Sequence, residues 1–178
     1  MTQELYQKAM RFAGEKHFDQ KVPGTKANYL LHISNVAMEV LLAYNFYNCF
    51  DINFAIQVAI LHDTIEDTTA NYEEIRDLFG KSVAQGVQAL TKDEKLQSKE
   101  EKMIDSLKRI NKLPKEVGIV KIADRITNLQ APPNNWNKDK IVKYYEEAKL
   151  ISNSLKDKNE YLNKRLEVKI LQYGDMIK

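Results

Sequence analysis

Only one cysteine occurs in the chain, Cys49, so no disulfide can form within it. That excludes a disulfide-stapled scaffold and a cysteine-rich zinc site, and it suits a reducing compartment. Cys49 reads as a small apolar filler. With 6 glycines and 4 prolines in 178 residues, there is no collagenous repeat, flexible linker or low-complexity tract. No glycine-rich phosphate loop is present. No apolar run approaches the roughly 20 residues that a membrane span needs. The opening MTQELYQKAMRFAGEKH is amphipathic and carries acids, unlike a signal peptide, so the expected location is the cytoplasm. An excess of one charge is also missing: 27 basic and 25 acidic residues give a formal net charge of +2. Without a basic stripe or a recognition motif, nucleic acid is not an expected partner. Nothing in the composition fixes an oligomeric state.

What remains is an ordinary globular composition, 43% hydrophobic and 29% charged, in a length suited to one domain with a real core. Apolar residues recur at helical spacing almost throughout, and no strand pattern stands out. The spacing predicts helices over 2–17, 29–47, 51–67, 71–80, 82–90, 99–111, 114–130, 139–156 and 159–174. Pro23-Gly24 marks a turn in the loop after the first helix, and Asn71 with Glu74 marks a helix start. Ser82 with Gln85 repeats that start signal. Leu30, Ile33, Ala37, Val40 and Leu41 form the apolar face of the second helix. The 99–111 helix is so charged that it reads as a surface element. The predicted fold class is all-α, a compact multi-helix bundle.

The stretch DINFAIQVAILHDTIED, residues 51–67, organises the rest. It opens apolar behind a plausible N-cap, Asp51, and closes with His62, Asp63, Glu66 and Asp67. Read as one helix, it sets His62 above Glu66 and Asp63 above Asp67. Three carboxylates then crowd a helix end that is already negative, at a cost of a few tenths to about 1 kcal/mol each. A divalent cation would resolve that conflict, and so would hydration of a helix end in open solvent.

Two other buried-helix positions are polar: His32 in the second helix and Asp124 in KEVGIVKIADRITNLQ. Asp124 needs a partner, which Lys121 or Arg125 could supply. The chain has 3 histidines, and two of them interrupt otherwise apolar helices. The third, His17, reads as structural or as part of a rim. Two imidazoles and two carboxylates, His32, His62, Asp63 and Asp124, suit Mn²⁺, Fe²⁺, Co²⁺ or Zn²⁺.

This H…HD…D order resembles the signature of HD-domain metal-dependent phosphohydrolases. LHDTIEDT at 61–68, FG at 79–80, LTKD at 90–93 and VKIADRITNL at 120–129 are similar to the hydrolase domain of RelA/SpoT-type enzymes. That group includes small stand-alone hydrolases of the alarmone (p)ppGpp. The resemblance covers about residues 9–129 of a single 1–178 domain, with C-terminal helices over 138–174, and no synthetase half is present.

The resemblance implies one metal, commonly Mn²⁺, on His32, His62, Asp63 and Asp124. It implies that Glu66 and Asp67 handle the attacking water and its protons. It matches the Gln20-Lys21 loop to the basic segment that grips phosphates, and Asn128 to an asparagine near the nucleotide. Lys92 and Lys95 could reach a pyrophosphate, and Tyr29 could border the base. The implied activity is hydrolysis of the 3′-diphosphate of (p)ppGpp to GDP or GTP and pyrophosphate, with a small nucleotide as the partner. Ile33-Ser34 and QAPPNNW depart from the family pattern and bear on which nucleotide is taken. The alternatives are an HD phosphohydrolase of another nucleotide, such as a 5′-nucleotidase or dinucleotide phosphatase, and a nucleotide-sensing module without turnover.

Overall fold

The computed structural model describes residues 2–133 and 135–177. Met1, Lys178 and Asn134, the last within the segment QAPPNNW, lie outside the described residues. Among the described residues the chain is all-α, with ten helices and one isolated backbone bridge between Lys21 and Asn28. The first helix, α1, spans Thr2–Lys16, and α2 spans Leu30–Phe46. Between them the chain doubles back as a tied hairpin. Val22 accepts from the Thr25 amide and Tyr29 donates to the Gln20 carbonyl. Pro23 and Gly24 occupy the centre of that turn, and Gly24 has φ of 77°, which a side chain would resist. Asn28 closes the hairpin, with Nδ2 on the Phe18 carbonyl and Oδ1 on the Leu30 amide.

The stretch predicted as one helix over 51–67 is two: α3, Ile52–Leu61, and α4, Thr64–Asp67. Asp51 caps α3 as expected, accepting from the amides of Asn53 and Phe54. Helical pairing lapses at His62 and Asp63, where Asp63 sits in the bridge region at φ −100°, ψ 0°. Side chains hold the lapse open. Thr64 Oγ1 donates to the Leu61 carbonyl at 2.6 Å, and His62 Nδ1 meets the Ala59 carbonyl at 2.7 Å. Glu66 and Asp67 therefore ride on a separate short turn rather than on one continuous strip with His62 and Asp63.

Next come α5, Tyr72–Phe79, and α6, Lys81–Leu90, joined through Gly80 at φ 92°. Asn71 caps α5 as predicted. The Ser82 start signal is not used, because α6 begins at Lys81 directly after Gly80. Helix α7, Lys99–Asn111, starts on a Ser98–Glu101 capping box and buries Met103, Leu107 and Ile110, so it is amphipathic rather than wholly superficial. Helix α8, Lys115–Asn128, is buried from Glu116 through Ile126. The last two, α9 (Lys138–Leu155) and α10 (Glu160–Asp175), both pack on α8.

Two helices thus lie inside and the others wrap them. Around α3 stand α1, α2, α6 and α8; around α8 stand α2, α3, α6, α7, α9 and α10. Two further features differ from the sequence reading. Leu41 turns outward with Leu31, Met38, Leu42 and Phe46, while Val36 and Ala43 complete the inner face of α2. Cys49 is exposed rather than a core filler. No described helix is long and apolar enough to cross a membrane.

Candidate metal centre and its surroundings

Three inner elements bring polar side chains to one point. His32 comes from the first turn of α2, His62 and Asp63 from the lapse between α3 and α4, and Asp124 from the third turn of α8. His32, His62 and Asp124 each offer a ligand atom, all within 4.8 Å of one another, and all three residues are buried. The two imidazole Nε2 atoms are 3.2 Å apart. Asp124 Oδ1 lies 3.4 Å from His32 Nε2 and 3.7 Å from His62 Nε2. Asp63 Oδ2 lies 2.9 Å from His62 Nε2 and 3.7 Å from His32 Nε2.

The outer nitrogens settle which way the rings face. His62 Nδ1 is engaged by the Ala59 carbonyl, which can only accept. Thr127 Oγ1 gives its own hydrogen to the Asp124 carbonyl, so at 3.4 Å it can only accept from His32 Nδ1. Neutral rings so held turn two Nε2 lone pairs toward each other and toward two carboxylates, which is repulsive unless something positive lies between them. Ligands about 2.1 Å from one cation sit roughly 3.0–3.4 Å apart, close to the spacings here. The donor set fits a divalent cation.

The titration behaviour points the same way. Burial disfavours a charged His62, yet the Asp63 and Asp124 carboxylates outweigh it and raise its pKa well above the usual imidazole value. Burial also opposes ionisation of Asp63 and Asp124, but His62 holds the first low, and Lys121 with the two imidazoles holds the second low. This point of the interior attracts positive charge.

Several residues singled out in the sequence make polar contacts around the centre. Tyr29, expected at the edge of a base, is buried and donates its hydroxyl to Asp63 Oδ2 at 2.5 Å. Asn128, expected near the nucleotide, donates to Asp124 Oδ1 at 2.6 Å. Lys121 rather than Arg125 pairs with Asp124, at 3.1 Å. Arg125 instead reaches α9, donating to Glu147 and lying over the Tyr144 ring at 4.3 Å. Lys92, expected to reach a pyrophosphate, is engaged twice by Glu66, through its amide at 3.0 Å and its ammonium at 2.6 Å. Lys21 is exposed on the hairpin. Trp136 meets Tyr144 edge-on at 5.2 Å. Tyr29, Asn128 and Lys92 thus each hold a hydrogen bond to an acid of the site. The mutual i, i+3 and i, i+4 spacing of Lys121, Asp124 and Asn128 was the available signal for two of those contacts.

Glu66 and Asp67 flank the centre from α4. Asp67 is open to solvent on one side and accepts from Gln20 Nε2 at 3.0 Å. The protein packed around its other side, with the charge of Asp63, raises its pKa from the ordinary aspartate value.

Residues 9–159 match the family model described as HD domain. This chain belongs to the HD-domain family. The match runs past α8 and through the whole of α9, beyond the 9–129 stretch that carries the motifs. This HD domain is 30% identical over 170 residues to guanosine-3′,5′-bis(diphosphate) 3′-pyrophosphohydrolase MESH1 of Danio rerio, covering 93% of this chain and 92% of that protein. A guanosine-3′,5′-bis(diphosphate) 3′-pyrophosphohydrolase of Aquifex aeolicus is 36% identical over 130 residues, 71% of this chain but 18% of its own length. Among solved structures, a metazoan ortholog of SpoT that hydrolyses ppGpp superposes with a TM-score of 0.81 at 26% identity over 96% of both chains. The resemblance read from the HD motifs therefore holds for the whole fold.

Proposed function

We propose that this HD domain, residues 1–178 acting as one cytoplasmic unit, is a metal-dependent hydrolase of guanosine alarmones. It would remove the 3′-diphosphate of (p)ppGpp, giving GDP or GTP and pyrophosphate. The observation that carries the reading is the convergence of His32, His62, Asp63 and Asp124 on one buried point, in a chain whose relatives over nearly full length bear that activity in their names. The four residues would hold one divalent cation, for which Mn²⁺ is our assignment. When bound, such a cation lowers the pKa of a water and polarises the phosphoryl oxygen.

The other roles fall to side chains. Tyr29 and Asn128 fix the two carboxylates, and the Ala59 carbonyl and Thr127 fix the two imidazoles. Glu66 is oriented by Lys92, which neutralises it and sets the angle at which it meets the water. Asp67 accepts the proton, because its raised pKa makes it a better base than an ordinary carboxylate. The exposed Lys21 remains our candidate for a phosphate contact.

The test is a substrate panel in Mn²⁺ with product identification: ppGpp, pppGpp, nucleoside 5′-monophosphates and dinucleotides. Pyrophosphate release from (p)ppGpp is expected, with Glu66→Ala keeping Mn²⁺ affinity while losing turnover. Intact (p)ppGpp beside a hydrolysed 5′-monophosphate would replace this reading with a nucleotidase.

A further inference from the structure

His17 has no place in the cation site, yet it is among the most buried polar residues, 1% exposed. It follows α1 directly and stacks on Tyr29, with ring centroids 4.9 Å apart. Its Nδ1 is 2.5 Å from Gln20 Oε1, and Gln20 Nε2 donates to Asp67 Oδ2 at 3.0 Å. The direction of this chain is fixed by what each group can do. An ionised carboxylate only accepts, so the amide turns its NH₂ to Asp67. That leaves Oε1 as an acceptor, and His17 Nδ1 must carry the hydrogen.

We propose that His17 and Gln20 are positioning residues for Asp67: the Nδ1–H of His17 locks the Gln20 amide, and the amide holds Asp67 Oδ2 so that Oδ1 is turned to the reacting water. The inference rests on the hydrolytic reading and on Asp67 as proton acceptor. The hairpin that carries Gln20 is built for the task. Its rungs tie Gln20 to both His17 and Tyr29 through the backbone, so the amide has little freedom. Burial keeps the His17 imidazole below its ordinary pKa. Its Nε2 finds no hydrogen-bond partner among the described residues, so a second proton there would be stranded. The ring is therefore a fixed, neutral donor. The titratable groups around Asp67 are Asp63, Glu66 and the His17 ring, and Gln20 is the neutral donor that favours its ionised form.

The experiment compares Gln20→Ala, Gln20→Glu, His17→Ala and His17→Asn with the wild type, using Mn²⁺ and ppGpp. An asparagine amide can place a donor near the position of Nδ1, so His17→Asn should keep most of kcat. His17→Ala and Gln20→Ala should lose about tenfold to a hundredfold in kcat with little change in KM. The acidic limb of their pH–rate profile should move up by about half to one pH unit, because the ionised Asp67 has lost a donor. Gln20→Glu should move that limb further, by setting a second acid against Asp67. Mn²⁺ affinity and the melting curve, measured on each variant, separate this from a folding defect. Variants that fold, bind Mn²⁺ and retain both kcat and pH profile would overturn the inference while leaving the function standing. A wild type that releases no pyrophosphate would remove both.

Discussion

Helix α2 carries two buried polar side chains two turns apart, and their surroundings are opposite. Glu39 faces α10, where Arg165 grips it bidentately, Nε at 2.7 Å and Nη2 at 2.6 Å. One negative charge meets one positive charge, the fork geometry is matched, and nothing further is required. His32 faces α3 and α8, where two carboxylates and a second imidazole converge, and among the described residues the only cation in hydrogen-bond contact with them is Lys121, on the far oxygen of Asp124. A paired buried charge fastens helices together. An unbalanced group, at the same depth and on the same helix, is built to receive something.

The strongest way to sharpen that contrast is to remove an acid from the unbalanced side. Asp124→Ala should reduce (p)ppGpp turnover by at least about a thousandfold. It should also abolish the rise in Tm that Mn²⁺ gives the wild type, which differential scanning calorimetry with and without Mn²⁺ would detect. On the balanced side, Arg165→Ala should lower the unfolding free energy by about 1–3 kcal/mol in urea titrations, because Glu39 is left buried and unpaired. Its kcat should stay at the wild-type value and its Mn²⁺ response should persist. A loss of activity in Arg165→Ala equal to its loss of stability would break the distinction.

The smallest effect concerns Asp67. A carboxyl whose folded pKa is raised adds stability fully only below its unfolded pKa, and loses it as pH rises through the folded value. At neutral pH the ionised Asp67 is therefore a liability in the folded state. Asp67→Asn should raise Tm slightly at pH 7, and the two curves should converge near pH 4, while turnover disappears. Such a trade is common where a strained or charged group serves chemistry.

Helix existence was legible in the chain because apolar spacing and caps such as Asp51 and Asn71 speak locally. The lapse at His62-Asp63 was not. Its cause is a pair of side-chain bonds, Thr64 to Leu61 and His62 to Ala59, that look in sequence like ordinary helix positions. The metal-type residues could be named because histidines and acids in apolar helices are conspicuous. Their supports far away in the chain could not. Tyr29 and Lys92 are common residue types whose partners, Asp63 and Glu66, lie 34 and 26 residues away. The same residues were plausible substrate contacts, and only geometry shows their polar atoms already engaged. The contact of Gln20 with Asp67 escaped for the same reason: its amide spans from His17 to Asp67, a link that no spacing rule anticipates.

The envelopment of α8 carries a consequence for how the molecule can be divided. Val117 to Ile126 has no face of its own toward water, and α9 with α10 supplies one whole side of its cover. A fragment ending at Leu129 would hold every motif residue and still present an oily flank to solvent, so it should clump rather than work. Conversely, a cut within 131–137 would sever a connection while leaving that flank its natural lid. The two pieces would have every reason to remain embraced, like a box whose hinge is broken but whose cover still fits.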